Sequence, residues 1–203
     1  MSLNRNLIFL LIISFFIIIS CSEKTDKIPK INYQDKSELL DIVKKHYNKD
    51  AEVALGGMFD ETGKEFIASG VEINNSDEWG IKFTFLEKSN DEFIELFETE
   101  LLNGSFKESM IDKIKLSSFD YELVYYSSQS YFMGSGGGEV FSYIIDLELK
   151  QVYYAHLVVE SESAIYLYLS ENTQRRELIN FFNMTLRKDY PGLQIVSDDI
   201  IID

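Results

Sequence analysis

The chain has 203 residues, 34 of them Asp or Glu against 19 Lys or Arg, and a formal charge of −15 at pH 7. That length can bury one sizeable core, and about one domain is expected of it. The acidity argues against nucleic acid, whose binding runs on Lys and Arg neutralising phosphates, and against docking by charge on an anionic lipid surface. Cys21 is the one cysteine, which leaves no disulfide and no cysteine metal site.

The chain opens with Arg5 followed by a nearly unbroken apolar run from Leu7 to Ile19. The run is shorter than the roughly 20 apolar residues of a spanning helix, and it is N-terminal, so residues 1–20 read as a signal peptide. It ends Ile18-Ile19-Ser20-Cys21. A small residue directly before a cysteine resembles the lipobox of bacterial lipoproteins, with Ile18 where the family usually has Leu and Ile19 where it usually has a small residue. The resemblance, which extends to Bacteroidetes-type leaders, covers the leader alone. It implies removal of residues 1–20, acylation of Cys21 with palmitate-class chains, and a lipid-anchored protein of the cell envelope, at the periplasmic or the surface face. Only Arg5 among the first twenty residues is charged, so loss of the leader makes the chain one unit more acidic.

Residues 21–34 then read as the lipidated cysteine and a polar tether. A helix is expected after Asp35, with Leu39, Ile42, Val43, His46 and Tyr47 on one stripe. Three strand-like runs follow, Glu52 to Met58, Lys64 to Ile73 and Ile81 to Leu86, with Gly56-Gly57 hinting at a bulge. Ser89-Asn90-Asp91-Glu92 has the form of a capping box and predicts a helix with Phe93, Ile94, Phe97 and Leu101 buried, ending near Asn103-Gly104. Ser105-Phe106-Lys107-Glu108 repeats the pattern and predicts a short helix to about Ile114. Four strands come next, Tyr121 to Ser130, Glu139 to Leu147, Val152 to Val159 and Ala164 to Leu169, two of their links being of hairpin length. Ser170 is positioned to cap a final helix to about Asp189, and Leu193 to Val196 adds an edge strand. The fold class expected from this order is α+β, an antiparallel meander packed by three to four helices, as a single domain over residues 35–203.

Few residues point to chemistry. The glycine cluster Gly134-Ser135-Gly136-Gly137-Gly138 has no lysine and precedes a strand, so it lacks the form of a phosphate loop. With Tyr131, Phe132 and Met133 beside it, it reads either as a slack hairpin loop or as a contact loop for a protein partner; Tyr131, Phe132, Met133, Gly134, Gly136, Gly137 and Gly138 are the candidate partner-binding residues. Phe141 and Tyr143 follow close by. Two histidines, His46 and His156, are too few for a zinc site, and no nucleophile–base pattern stands out, so no metal, cofactor or catalytic residue is assigned. Trp79, beside Gly80 at a strand start, is expected to lid the core. The functional reading is a non-catalytic binding domain, held at a membrane by its lipid, that binds a basic protein in the manner of an immunity protein or inhibitor. An accessory subunit of an envelope assembly is the alternative within binding. A hydrolase using unassigned carboxylates is the rival from another class.

Overall fold

The computed structural model describes residues 27–131, 137–161, 164–196 and 201–202. Cys21, residues 1–20 expected to form a signal peptide, and Phe132 to Gly136 lie outside them. The elements are α1 (Lys36–His46), β1 (Val53–Gly57), β2 (Phe66–Asn74), β3 (Trp79–Ser89), β4 (Glu92–Glu98), β5 (Ser109–Ile114), β6 (Leu123–Tyr131), β7 (Gly138–Asp146), β8 (Gln151–Ser161), β9 (Ala164–Leu169), α2 (Arg176–Leu186), β10 (Gln194–Val196) and β11 (Ile201–Ile202). They form two sheets, sheet A in the order β1-β2-β3-β4 and sheet B in the order β11-β10-β9-β8-β7-β6-β5. All pairings are antiparallel except β10 with β9, which are joined through α2.

The layers follow from which side chains each face buries. Ala54, Ile67 and Leu86 on the outer face of sheet A pack under Leu39 and Val43 of α1. Leu55, Phe66, Phe83 and Phe85 on its inner face meet Val124, Tyr126, Tyr143 and Ile145 of sheet B. The other face of sheet B, with Leu123, Ile144, Ala155, Leu157 and Leu167, packs on Leu178, Phe182 and Leu186 of α2. The result is helix, sheet, sheet, helix. Strands inside such a stack are apolar on both faces, because each face meets another layer.

This corrects the expected α+β meander under three to four helices. Two helices stand among the described residues, and the strands divide into two sheets. The segment expected to be helical from Ser89 is a hairpin: Ser89 pairs with Glu92 across a two-residue loop, with Asn90 at φ 54°, a conformation asparagine tolerates. Phe93 and Phe97, four apart, imitate a helical stripe for a particular reason. The register shifts at Phe85/Leu86, so that Leu96 is an extra residue in β4. That bulge inverts the alternation, and Phe93 packs on the α1 side while Phe97 packs on the inner side. The short helix expected to Ile114 is β5 from Ser109 onward; Ile111 faces the inter-sheet core and Ile114 the α2 side, a spacing of three that a helix would also show.

The last helix is shorter than expected. Ser170 binds the Tyr154 amide (3.0 Å) and Thr173 (2.7 Å), closing β9, and α2 starts at Arg176 with Arg175 at its N-cap. α1 starts where expected, with Asp35 accepting from the amides of Ser37 and Glu38 at 3.0 Å. Residues 27–34 are no free tether. Ile28 is buried, Lys88 Nζ donates to the carbonyls of Ile28 and Pro29, and Tyr33 lies so close over Gly56 that any Cβ there would strike its backbone. Gly56 therefore serves close approach rather than a bulge. Trp79, expected in the core, is 47% exposed. Among the described residues no helix is long and apolar enough to cross a membrane.

Candidate functional site

Sheet B is wider than sheet A, and this difference makes the site. Strand registers place three cross-strand rows on the inner face of sheet B. The first is Tyr126, Tyr143 and Tyr154. The second is Ser128, Phe141, His156 and Tyr168. The third is Ser130, Glu139, Val158 and Tyr166. Sheet A covers the β6–β7 end of the first row: Tyr126 is fully buried and Tyr143 nearly so. Tyr154, Phe141, His156, Val158 and Tyr166 are half-buried, and Tyr168 is 44% exposed. In β10, Gln194 and Val196 continue this face beside Tyr166 and Tyr168, because Ile195 between them faces α2.

The rings stack as a continuous floor. Tyr126–Tyr143 and Tyr143–Tyr154 have centroids 5.8 and 4.9 Å apart. Phe141–His156 stack at 4.9 Å and His156–Tyr168 at 6.3 Å, with Tyr154–His156 at 6.1 Å joining the two rows. Rings stacked in this way cover one another's faces and turn their edges outward, and Tyr168, the last ring of the second row, is the most exposed of them. Burial pushes the hydroxyls of Tyr126 and Tyr154 up from their ordinary value and that of Tyr143 to about 12. They stay protonated near neutrality and act as hydrogen-bonding groups, not as bases. The Tyr143 hydroxyl accepts from the Asn103 amide at 2.9 Å.

The segment 99–108 crosses from sheet A to sheet B beside the first row. Gly104, at φ 123°, lies against the Tyr126 hydroxyl and Ser128, where a Cβ would collide with both. Between this crossing and the β7–β8 turn opens a cleft of about 660 Å³, floored by Phe97, Leu101, Val152 and Tyr154. Its charges balance: Glu98 is paired with Lys82 at 3.2 Å, and Glu100 and Lys150 lie on opposite sides of the mouth. The second and third rows differ. Glu139 is their one carboxylate, and the Nε2 of His156 lies 3.8 Å from it and is buried without a hydrogen bond.

Of the residues singled out in the sequence, Tyr131 ends β6 and Gly138 begins β7, paired with each other, and Gly137 precedes that pair. Phe132, Met133, Gly134 and Gly136 lie outside the described residues. The hairpin they close belongs to the third-row end of the floor, next to Ser130 and Glu139. Phe141 and Tyr143 share the inner face, while Tyr154, Tyr166 and Tyr168 were not singled out. The signal for them was present: in β8 and β9 the aromatics Tyr154, His156, Tyr166 and Tyr168 alternate with the aliphatics Ala155, Leu157, Leu167 and Leu169. His46 is half-buried at the end of α1, far in sequence from any partner in this floor.

A second polar cluster lies on the α2 side. Asp146 is fully buried; both its oxygens accept from the Tyr121 hydroxyl at 3.1 Å, and Oδ1 accepts from the Leu149 amide at 2.9 Å. Burial raises its pKa. It fixes the β7–β8 turn. Among the described residues no group of three or more histidines and carboxylates could hold a metal ion. No family model, no curated protein and no solved structure matches the chain.

Proposed function

We propose that the protein is a lipid-anchored, non-catalytic binding domain of the bacterial cell envelope whose partner is a basic protein. The observation that carries this reading is the aromatic floor left open where sheet B extends beyond sheet A, on a chain of charge −15. A contiguous aromatic surface left half-buried on a folded domain, with one ring 44% exposed, suits contact with a partner, and the chain's acidity selects among partners by charge. The docking of residues 27–34 supports a close mounting. Lys27 is six residue steps from Cys21, a stretch that fully extended reaches about 20 Å, so a lipid on Cys21 would hold the domain close to the bilayer.

The test is site-specific photo-crosslinking in the native envelope. A benzophenone amino acid at Tyr168 should trap a defined basic protein, and 0.5 M salt added before irradiation should reduce the yield. The same probe at Glu61, in the β1–β2 connection away from the floor, should trap nothing comparable. Equal patterns from the two positions, or trapping confined to acidic partners, would overturn the reading.

A further inference from the structure

We propose that the second and third rows of the floor form an arginine-reading surface: one guanidinium of the basic partner lies on the exposed ring of Tyr168 and a second pairs with the Glu139 carboxylate. This rests on the proposed binding function and names the side chains that the surface selects.

Three observations lead there. The first is shape. Phe141 and His156 stack at 4.9 Å, and Tyr168 follows on the next strand, tilted at 43° to His156 and 44% exposed, so the open ring face of the row is that of Tyr168. Planar cations stack on such faces, arginine more readily than lysine, because the guanidinium is flat and weakly hydrated. The second is charge. The inner-face residues of β7 to β10 in these rows include Glu139 but no Lys or Arg: Glu139, Phe141, His156, Val158, Tyr166, Tyr168, Gln194 and Val196. The cleft beside them has Lys82 and Lys150 against its two glutamates, so it offers a cation no net attraction.

The third is the state of Glu139. Its side chain is 30% exposed, and among the described residues the one basic side chain within 4 Å of its carboxylate is His156, whose Nε2 lies 3.8 Å away. One arriving guanidinium supplies two parallel donors to that carboxylate, and a second lays its plane on the exposed ring of Tyr168. Sheet geometry sets the spacing of such contacts. Neighbouring strands stand about 4.8 Å apart and successive inner-face side chains along one strand about 7 Å apart. An extended segment with arginine at alternate positions matches the second spacing.

The experiment titrates the full-length chain, in a neutral detergent, with three pentapeptides that differ only at positions 2 and 4: arginine, lysine or citrulline. Binding is followed by calorimetry. The arginine peptide should bind most tightly, lysine several-fold more weakly, and citrulline weakest, since it keeps the plane and loses the charge. Tyr168→Leu should weaken the arginine peptide about 2- to 30-fold, the range of one cation–π contact. Glu139→Gln should weaken it and flatten its dependence on salt. Tyr168 is exposed, so its substitution leaves the fold intact, and an unchanged melting temperature checks this. Equal affinity for arginine and citrulline would overturn the proposal. So would an arginine peptide insensitive to both variants but weakened by Glu100→Gln, which would move recognition to the cleft and leave the basic-partner reading standing. No binding of any peptide, with crosslinking at Tyr168 still trapping a basic protein, would reject arginine reading alone. Loss of both would reject the function as well.

Discussion

Phe83→Ala is the perturbation that most directly tests the joint between the two sheets. Phe83 is fully buried in the middle of β3, on the inner face of sheet A. Its ring meets Tyr126 of sheet B at 5.7 Å and Phe106 of the crossing segment at 6.2 Å. Truncation removes the transfer free energy of a buried phenyl, about 1.5–3 kcal/mol. It leaves a cavity costing about 24 cal/mol per Å³ that does not collapse, and it breaks two aromatic pairs worth about 0.5–1.5 kcal/mol each. Collapse is limited, because the Phe83 backbone is held between Gly70 of β2 and Thr99 just beyond β4. The expected loss is about 4 kcal/mol, within the usual range for such changes and a large share of the 5–15 kcal/mol typical of a whole fold. The assay is urea unfolding read by two probes. Trp79, the sole tryptophan, reports sheet A by fluorescence, and near-UV tyrosine dichroism reports mainly sheet B, where most tyrosines lie. Both probes should shift together to lower urea. A loss below about 1 kcal/mol, or a sheet A transition that moves while the sheet B transition stays, would refute the shared core as the source of cooperativity.

Other predictions are independent of that joint. Cys21→Ala should leave unprocessed precursor and abolish palmitate labelling; persistent labelling would remove the anchor from the proposed function. Gly104→Ala should cost about 2–3 kcal/mol, because a φ of 123° is strained for any side chain and the new methyl meets Tyr126 and Ser128; denaturant midpoints measure it, and a neutral result would mean that the crossing can shift. For Asp146, burial raises the folded pKa above the ordinary value of 3.8. The stabilising contribution of its protonated form is therefore present below the unfolded value and lost as pH rises through the folded one. Asp146→Asn should flatten the stability profile across that window and leave neutral-pH stability within about 1 kcal/mol; an unchanged profile would show that the carboxylate does not titrate on unfolding.

How much of this was legible in the sequence depends on whether period alone decided the element. β1, β2, β3 and β6 to β9 announce themselves by alternation or by β-branched and aromatic runs between turn residues. β4 does not, because the bulge at Leu96 puts Phe93 and Phe97 on opposite faces while their spacing copies a helix. β5 does not, because Ile111 and Ile114 serve two different cores. The division into two sheets is a matter of pairing partners, which a single strand's pattern cannot carry. The same limit applies to the site. Phe141, His156 and Tyr168 meet only through registers spanning three strands, so the sequence pointed to the adjoining glycine hairpin and to Phe141 but left Tyr168 unmarked.

The two sheets come from successive stretches of chain, sheet A from residues 53–98 and sheet B from residues 109–202, with one short crossing between them. This bears on the order of folding. Nearly every pairing within a sheet joins strands adjacent in sequence, so each meander closes short loops and can form early. The contacts between Phe83, Tyr126 and Tyr143 join distant parts of the chain and are expected last. Phe83→Ala should then speed unfolding far more than it slows refolding, whereas Leu157→Ala, inside the sheet B meander, should slow refolding in proportion to its cost. Stopped-flow chevrons of the two variants would separate these cases, and a refolding rate equally depressed in both would place the docking of the sheets before the rate-limiting step. With docking last, the half-life of the native protein is set at the seam between the sheets, and the aromatic floor, built within one meander, is in place before that seam closes.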